Sequence, residues 1–381
     1  MAKSTKVLIV ILAVVVFAAS GYAIYKKYFQ PQTTKPSEPV EIPFSILNNK
    51  FGFLSGGPES NDFITSVGAS WLRPHPGPFL WEAMQEKNTA QINFNKTDKL
   101  VKETGKAELA VLATLWPFAN WDQKMSTASR KCAVSENDEF LAKNDKKGRG
   151  DYLSEYRCAP ANWGAYENWV RQVVERYDGD GQGDMAGLTM PIKYWEVMNE
   201  PDLPVSEDGR LVFWLDTPEN YAKLLTNTYT VIKEADSTAN VVIAGAAGGD
   251  DQFLNFYRKV LNDPQALGSF DIANIHCISN DSYDSFNVEP YKKMLAEFGI
   301  EKPIWVTEAE AIVTSDASQN ATQTWKSTQK ALELGAEKIF FTRYEFKDKM
   351  GGPKPEGVEI RAELDGTDPL DAYKRIIGTN K

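Results

Sequence analysis

Histidine and cysteine are scarce in this 381-residue chain, with two His and three Cys in all. So few of them, without clustering, leave a catalytic zinc site unsupported, and neither a metal nor any other cofactor is expected. Basic charge is also short. The 42 Lys and Arg are outnumbered by 52 Asp and Glu, and a formal charge of −10 gives no support to a nucleic-acid-binding surface. No repeat of fixed period is present, and one stretch alone is long and continuously apolar.

That stretch is Val7–Tyr25, VLIVILAVVVFAASGYAIY, flanked by Lys3, Lys6, Lys26 and Lys27. It approaches the ~20 residues that span a bilayer as a helix and exceeds the ~7–15 of a usual signal-peptide core. Residues 1–28 therefore read as an uncleaved membrane anchor, while the small residues Ala18, Ala19, Ser20, Gly21 and Ala23 keep a cleaved signal peptide open. No Cys follows the run closely, so a lipid anchor is not indicated. Residues 29–46 begin FQPQTTKPSEPV, the composition of an extended tether. A body beyond the membrane meets oxidising conditions, where Cys132 and Cys158 can pair across one polar insertion and leave Cys277 over. Three reduced, buried cysteines remain the alternative.

The body, residues 47–381, contributes most of a composition that is 42% hydrophobic and 12% aromatic, with ten Trp and fifteen Tyr. That is ample for a large core, and rings not spent there suit a site that stacks on flat apolar faces. Strand-like and helix-like segments alternate from Leu47 onward, the pattern of a parallel sheet built from βα units. Strands are expected at Lys50–Leu54, Ala69–Arg73, Leu109–Trp116, Lys193–Val197, Asn240–Ala244, Asp271–Ile275, Ile304–Thr307 and Lys338–Tyr344. Helices are expected at about Glu59–Val67, Trp163–Tyr177, from Thr217, Phe253–Leu261, Ala321–Leu334 and Asp371–Ile377. Eight strands in order is the count of a (β/α)8 TIM barrel, an α/β fold with its active site on the face where the strands end. The polar insertion Pro117–Pro160 would be a loop on that face.

Two of these strands end in carboxylic acids. Lys193-Tyr194-Trp195-Glu196-Val197-Met198-Asn199-Glu200-Pro201 is a β-rich run that Pro201 must end, because proline cannot donate to a ladder. Pro201 should also push Glu200 toward an extended backbone. Pro303-Ile304-Trp305-Val306-Thr307-Glu308-Ala309 is the second such run, its acid 108 residues after the first. The first closely resembles the fourth-strand signature of clan A glycoside hydrolases, and the second matches their seventh strand. Nearest are the β-xylosidase and α-L-iduronidase branch, then the cellulase and mannanase branch.

The resemblance implies a carbohydrate substrate, a retaining reaction, Glu200 as acid/base and Glu308 as nucleophile, with Glu310 as the rival nucleophile. It further implies that Asn199 donates to a sugar hydroxyl, that Arg73 holds Glu308 ionised, and that His276, ending strand six, touches substrate or nucleophile. Arg73 can equally form a structural ion pair with Glu196. Trp116 and Tyr344, near the ends of strands three and eight, are candidates for binding sugar. Ile278 stands where relatives carry a Tyr, which Tyr283 would have to replace, and strand eight lacks their Trp. A barrel that binds polysaccharide without cleaving it is therefore the alternative. Asp178-Gly179-Asp180-Gly181-Gln182-Gly183-Asp184 resembles the start of a Ca²⁺ loop, but Gln182 and Thr189 break the pattern, and a polar turn is the preferred reading. Oligomeric state is not legible.

Overall fold

The computed structural model describes residues 38–124, 132–134, 153–203, 213–279, 283–347 and 360–380. The Val7–Tyr25 run lies outside them, and among the described residues no helix is long and apolar enough to cross a membrane. The strands are β1 Phe51–Ser55, β2 Trp71–Pro74, β3 Ala110–Leu115, β4 Tyr194–Val197, β5 Asn240–Ile243, β6 Ala246–Gly248, β7 Ala273–Ser279, β8 Ile304–Ala309 and β9 Ala336–Phe341. They form one parallel sheet in the order β5-β4-β3-β2-β1-β9-β8-β7-β6. A bridge between Val242 on β5 and Ile272, just before β7, brings the two ends of that order together. The sheet is thus curled into an α/β barrel in which β5 and β6 share one strand position.

The longer helices are α1 Asn61–Ser66, α2 Asn95–Lys106, α3 Trp163–Tyr177, α4 Pro218–Ala235, α5 Asp251–Leu261, α6 Val288–Glu297, α7 Ala317–Glu333 and α8 Pro369–Gly378. Their starts follow from side chains that satisfy free backbone N–H groups. Thr217 accepts from Asn220 N, with Pro218 in the first turn, and Asn162, Asp250, Asp316 and Asp368 cap α3, α5, α7 and α8 in the same way. Helices α2 and α6 were not expected from the sequence. Neither has a side-chain cap, and the buried face of α2 is made largely of Thr97, Thr104 and Gly105 beside Leu100 and Val101, too polar a stripe to announce a helix.

Alternation along the strands decides what fills the barrel. At its base Trp71, Ala110, Leu112, Val242, Ile272, Trp305 and Phe340 form one apolar cluster with Ile42, Ile46 and Met190. Two residues further along β2, β3, β4, β7 and β8 stand Arg73, Thr114, Glu196, Asn274 and Thr307, all buried. The inward positions therefore change from apolar to polar toward the strand ends.

Residues near the barrel's base correct the extent of the tether. A one-turn helix, Phe44–Leu47, carries Ile46 into the basal cluster, Trp71 Nε1 donates to the Ile46 carbonyl at 3.0 Å, and Val40 N donates to the Gly179 carbonyl at 2.8 Å. Burying one such side chain is worth ~1.5–3 kcal/mol. The packed body accordingly begins near residue 40, ahead of residue 47.

Cys132 and Cys158 are disulfide-bonded, with Cα atoms 5.4 Å apart, and Cys277 is a buried thiol outside that bond whose Sγ donates to the Glu310 carbonyl at 3.1 Å. The bond sits where Ala133 and Tyr156 pair antiparallel, tying together the described parts of the polar insertion.

Candidate active site

The chain leaves β4 through an unusual backbone. Met198 and Glu200 have φ of 71° and 39°, left-handed values that cost a non-glycine residue energy and collect at functional sites. Pro201 does end the strand, but Glu200 is not extended as expected. The turn instead lifts Asn199 and Glu200, both buried, over the polar layer.

Arg73 organises that layer. Its Nε donates to Glu196 Oε2 at 2.8 Å, one terminal nitrogen to Glu308 Oε1 at 2.7 Å and the other to Asn199 Oδ1 at 2.6 Å. Both contacts considered for Arg73 are made at once: the fork of the guanidinium reaches Glu196 and the acid at the end of β8 together. Glu196 is filled on all sides, because Thr114 donates to Oε2, Asn274 Nδ2 to Oε1 at 2.7 Å, and Thr307 Oγ1 lies 3.3 Å from Oε1. It has no oxygen left for chemistry.

The register of β7 on β8 slips between Ile275 and His276, so that His276 comes opposite Glu308. His276 Nδ1 lies 2.8 Å from Glu200 Oε1 and 3.7 Å from Glu308 Oε1, and its Nε2 lies 2.8 Å from Thr307 Oγ1. Room for the ring comes from Gly245, where β5 breaks from β6. A Cβ there would overlap the imidazole. Strand five was expected over Asn240–Ala244 and ends one residue earlier, and β6, not expected, resumes beyond the glycine that makes space for His276.

The two acids differ in their surroundings. Burial raises Glu200, and the opposing pull of the more distant Arg73 charge leaves it pushed up to about 7. Burial raises Glu308 as well, and Arg73, bonded to it directly, opposes that rise. Glu200 is thus the carboxyl that keeps a proton near neutrality, and Glu308 is the one paired with a cation. Burial pushes His276 down to about 4, so at neutral pH it is an uncharged imidazole.

The structure brings Arg73, Asn199, Glu200, His276 and Glu308 together and separates two other candidates from them. Trp116 has no accessible surface. Its Nε1 donates to the Pro76 carbonyl at 2.6 Å, and its ring packs between His75 and Phe213, at 5.7 and 5.6 Å. It braces the wall of the site and offers no face to a sugar. Tyr344 lies beyond β9, which ends at Phe341, three residues short of the expected boundary. Its ring packs on Phe53 and Phe63 and its hydroxyl donates to the Leu54 carbonyl at 2.9 Å, so it serves the β1 rim. Glu310 pairs with Arg343 at 2.7 Å, past the end of β8 and away from Arg73. The side chains of Ile278 and Tyr283 lie outside the described residues.

His75 was missed as a site residue. Its Nδ1 is 3.9 Å from Glu308 Oε1 and has no hydrogen-bond partner, and burial holds the ring neutral. The available signal was its place two residues beyond Arg73, at the same strand end. Elsewhere, the carboxylates of Asp178, Asp180 and Asp184 lie within 4.8 Å of one another. They accept N–H groups of their own turn, Gly179 and Gly181 onto Asp184 and Asp180 onto Asp178, as a polar turn would.

The sequence model of the glycosyl hydrolase catalytic core matches residues 118–352. The chain belongs to that family. It is a glycoside hydrolase, in keeping with the resemblance to clan A. Among solved structures, a glucosidase from Croceicoccus marinus shares its fold with a TM-score of 0.59 at 14% identity, over 91% of this chain and 69% of that one. A family 39 glycoside hydrolase from Bacteroides cellulosilyticus WH2 follows at 0.54 and 14%, over 88% of this chain and 64% of its own. The endo-1,4-β-D-mannanase of Thermotoga petrophila RKU-1 gives 0.51 and 12%, over 87% of this chain and 99% of its own. Likeness at such identities is one of fold. No curated protein matches the sequence.

Proposed function

We propose that this glycoside hydrolase cleaves O-glycosidic bonds of oligo- or polysaccharides with retention of configuration, Glu308 acting as nucleophile and Glu200 as acid/base. The carrying observation is their spacing. A carboxylate oxygen of each lies within 4.8 Å of the other. Retaining enzymes hold their carboxyls ~5–5.5 Å apart, and inverting ones leave ~6.5–9.5 Å for a water.

The steps follow from the surroundings of each acid. Glu308, oriented by Arg73, attacks the anomeric carbon as the protonated Glu200 gives its proton to the departing oxygen. Glu200, now a carboxylate, then takes a proton from water as the oxygen of that water displaces Glu308. Asn199 Nδ2 is buried without a partner while its Oδ1 is held by Arg73, so its N–H groups suit a sugar hydroxyl near the nucleophile. A barrel that merely binds glycan has no need of two buried acids held so close together.

The test is the anomer formed first, followed by NMR during early hydrolysis. The expected product has the configuration of the substrate, and an inverted first product would sink the assignment.

The same reading places the catalytic body outside the cytoplasm, tethered by Val7–Tyr25. Its support is the length of that run and the tether-like segment after it. Full-length protein should stay with membranes through high-salt extraction, whereas a chain beginning at Pro39 should be soluble. A mature chain recovered from the medium with its N-terminus near Tyr22 would show a cleaved signal peptide instead.

A further inference from the structure

The contact between His276 and Glu200 has a direction, fixed by hydrogen bonds that begin on the far side of the barrel. Glu196 is a carboxylate bound by Arg73, so the Asn274 atom that meets its Oε1 at 2.7 Å is the amide nitrogen. Asn274 therefore turns its Oδ1 to Thr307, whose Oγ1 lies 2.9 Å away. The hydroxyl has one hydrogen, and Asn274 Oδ1 and Glu196 Oε1 both compete to accept it. Toward His276 Nε2, at 2.8 Å, Thr307 can then only accept. The imidazole is neutral and carries its single N–H on Nε2. Its Nδ1 faces Glu200 Oε1 at 2.8 Å with a lone pair, and two acceptors do not rest at that distance without a proton between them.

The geometry points to a positioning relay: Asn274 and Thr307 lock His276 as its Nε2–H tautomer, and the Nδ1 lone pair then accepts a hydrogen bond from protonated Glu200, which keeps the proton. This rests on the reading of Glu200 as acid/base and gives that residue a partner. A histidine that donated to Glu200 would stabilise the carboxylate and weaken the acid. One that accepts does the opposite.

The relay also bears on the second step. Once Glu200 has passed its proton to the leaving oxygen and the glycosidic bond has broken, its carboxylate faces a lone pair. That repulsion is relieved when Glu200 removes a proton from the attacking water, whose oxygen bonds to the anomeric carbon as the ester to Glu308 breaks. Proton count and charge return to their starting values, and His276 never changes its own protonation. The other groups facing the pair are Arg73 on β2, His75 after it, Glu196 on β4, Asp202 after it, Tyr257 on α5 and Glu308 on β8.

With two histidines in the chain, the tautomer is measurable by ¹⁵N NMR of the full-length protein in detergent, labelled at histidine and assigned by comparison with His75→Gln. His276 should show a protonated, pyrrole-type Nε2 and an unprotonated, pyridine-type Nδ1. A proton on Nδ1 overturns the relay. In kinetics, Thr307→Val should move the alkaline limb of kcat/KM about one pH unit lower and cut turnover of poor-leaving-group glycosides about tenfold, while sparing activated aryl glycosides. Thr307→Ser, which keeps the hydroxyl, should restore the profile. Equal losses on both substrate classes, or an unmoved limb, would also overturn the proposal, and if Thr307→Val does not fold the tautomer still decides. A proton on Nδ1 with azide rescue of Glu200→Ala retires the relay alone. The expected tautomer without that rescue retires the role of Glu200 and the function of the relay with it.

Discussion

Glu308→Ala should abolish turnover of every glycoside, because among the described residues the other acids of the site are committed, Glu196 to its own bonds and Glu200 to the proton. Glu200→Ala should instead divide substrates by their leaving groups. Glycosides with poor leaving groups lose on the order of 10²–10⁴ in rate, the usual worth of a positioned acid, while activated aryl glycosides still form the glycosyl-enzyme unaided. That intermediate then waits for a base that is missing. Azide needs no base, so it should rescue Glu200→Ala and yield a glycosyl azide of retained configuration. With Glu308→Ala, azide should enter from the opposite face of an activated substrate and give the inverted product. Exchange of the two azide products would swap the roles, and near-normal activity in both variants would end the hypothesis. Glu310→Ala serves as the control. Its carboxylate is paired with Arg343, and activity should be close to normal.

The motifs at β4 and β8 were legible because the requirement is local. A strand must end, an acid must stand at its end, and Asn-Glu-Pro and Thr-Glu after β-rich runs show both in a few residues. Most strand positions were legible for the same reason, alternation of pattern along short segments. What failed was set by tertiary contact. Trp116 looks like a stacking residue by its place on β3, but Phe213, nearly a hundred residues later, covers it. Tyr344 was placed on a strand that ends three residues earlier. The break at Gly245 has no local cause that a strand pattern displays, since its reason is the imidazole of His276 from the neighbouring strand. His75 was passed over although Arg73 was chosen two residues before it. The polar layer was half visible: Glu196 was read as a partner for Arg73, whereas Thr114, Asn274 and Thr307 look like ordinary strand residues until the register aligns them.

The same layer gives the last expected result, for Arg73→Met. The replacement keeps much of the side-chain length and removes the one charge that Glu196 and Glu308 share. Removing one partner of a buried ion pair costs ~3–5 kcal/mol, because the other charge is left in a medium that cannot solvate it. Here two carboxylates are stranded, and Asn199 loses the donor that orients it, so activity should fall with stability. The loss should depend on pH in a definite direction. Glu308 is already raised by burial, and without Arg73 nothing bonded to it opposes the rise. A carboxyl with a raised folded pKa contributes its full stability below the pKa of the unfolded chain and loses it as pH climbs through the folded value. The deficit of Arg73→Met relative to the parent should therefore be smaller near pH 5 and grow toward pH 7.5, measured by urea unfolding at both. Adding Glu196→Gln to Arg73→Met should recover part of the stability, by removing one stranded charge, but none of the activity, since Glu308 still lacks its cation. A deficit under about 1 kcal/mol, the range of an exposed pair, or one that does not grow with pH, would mean that the site is wetter than its burial indicates and that Arg73 does not hold the nucleophile ionised.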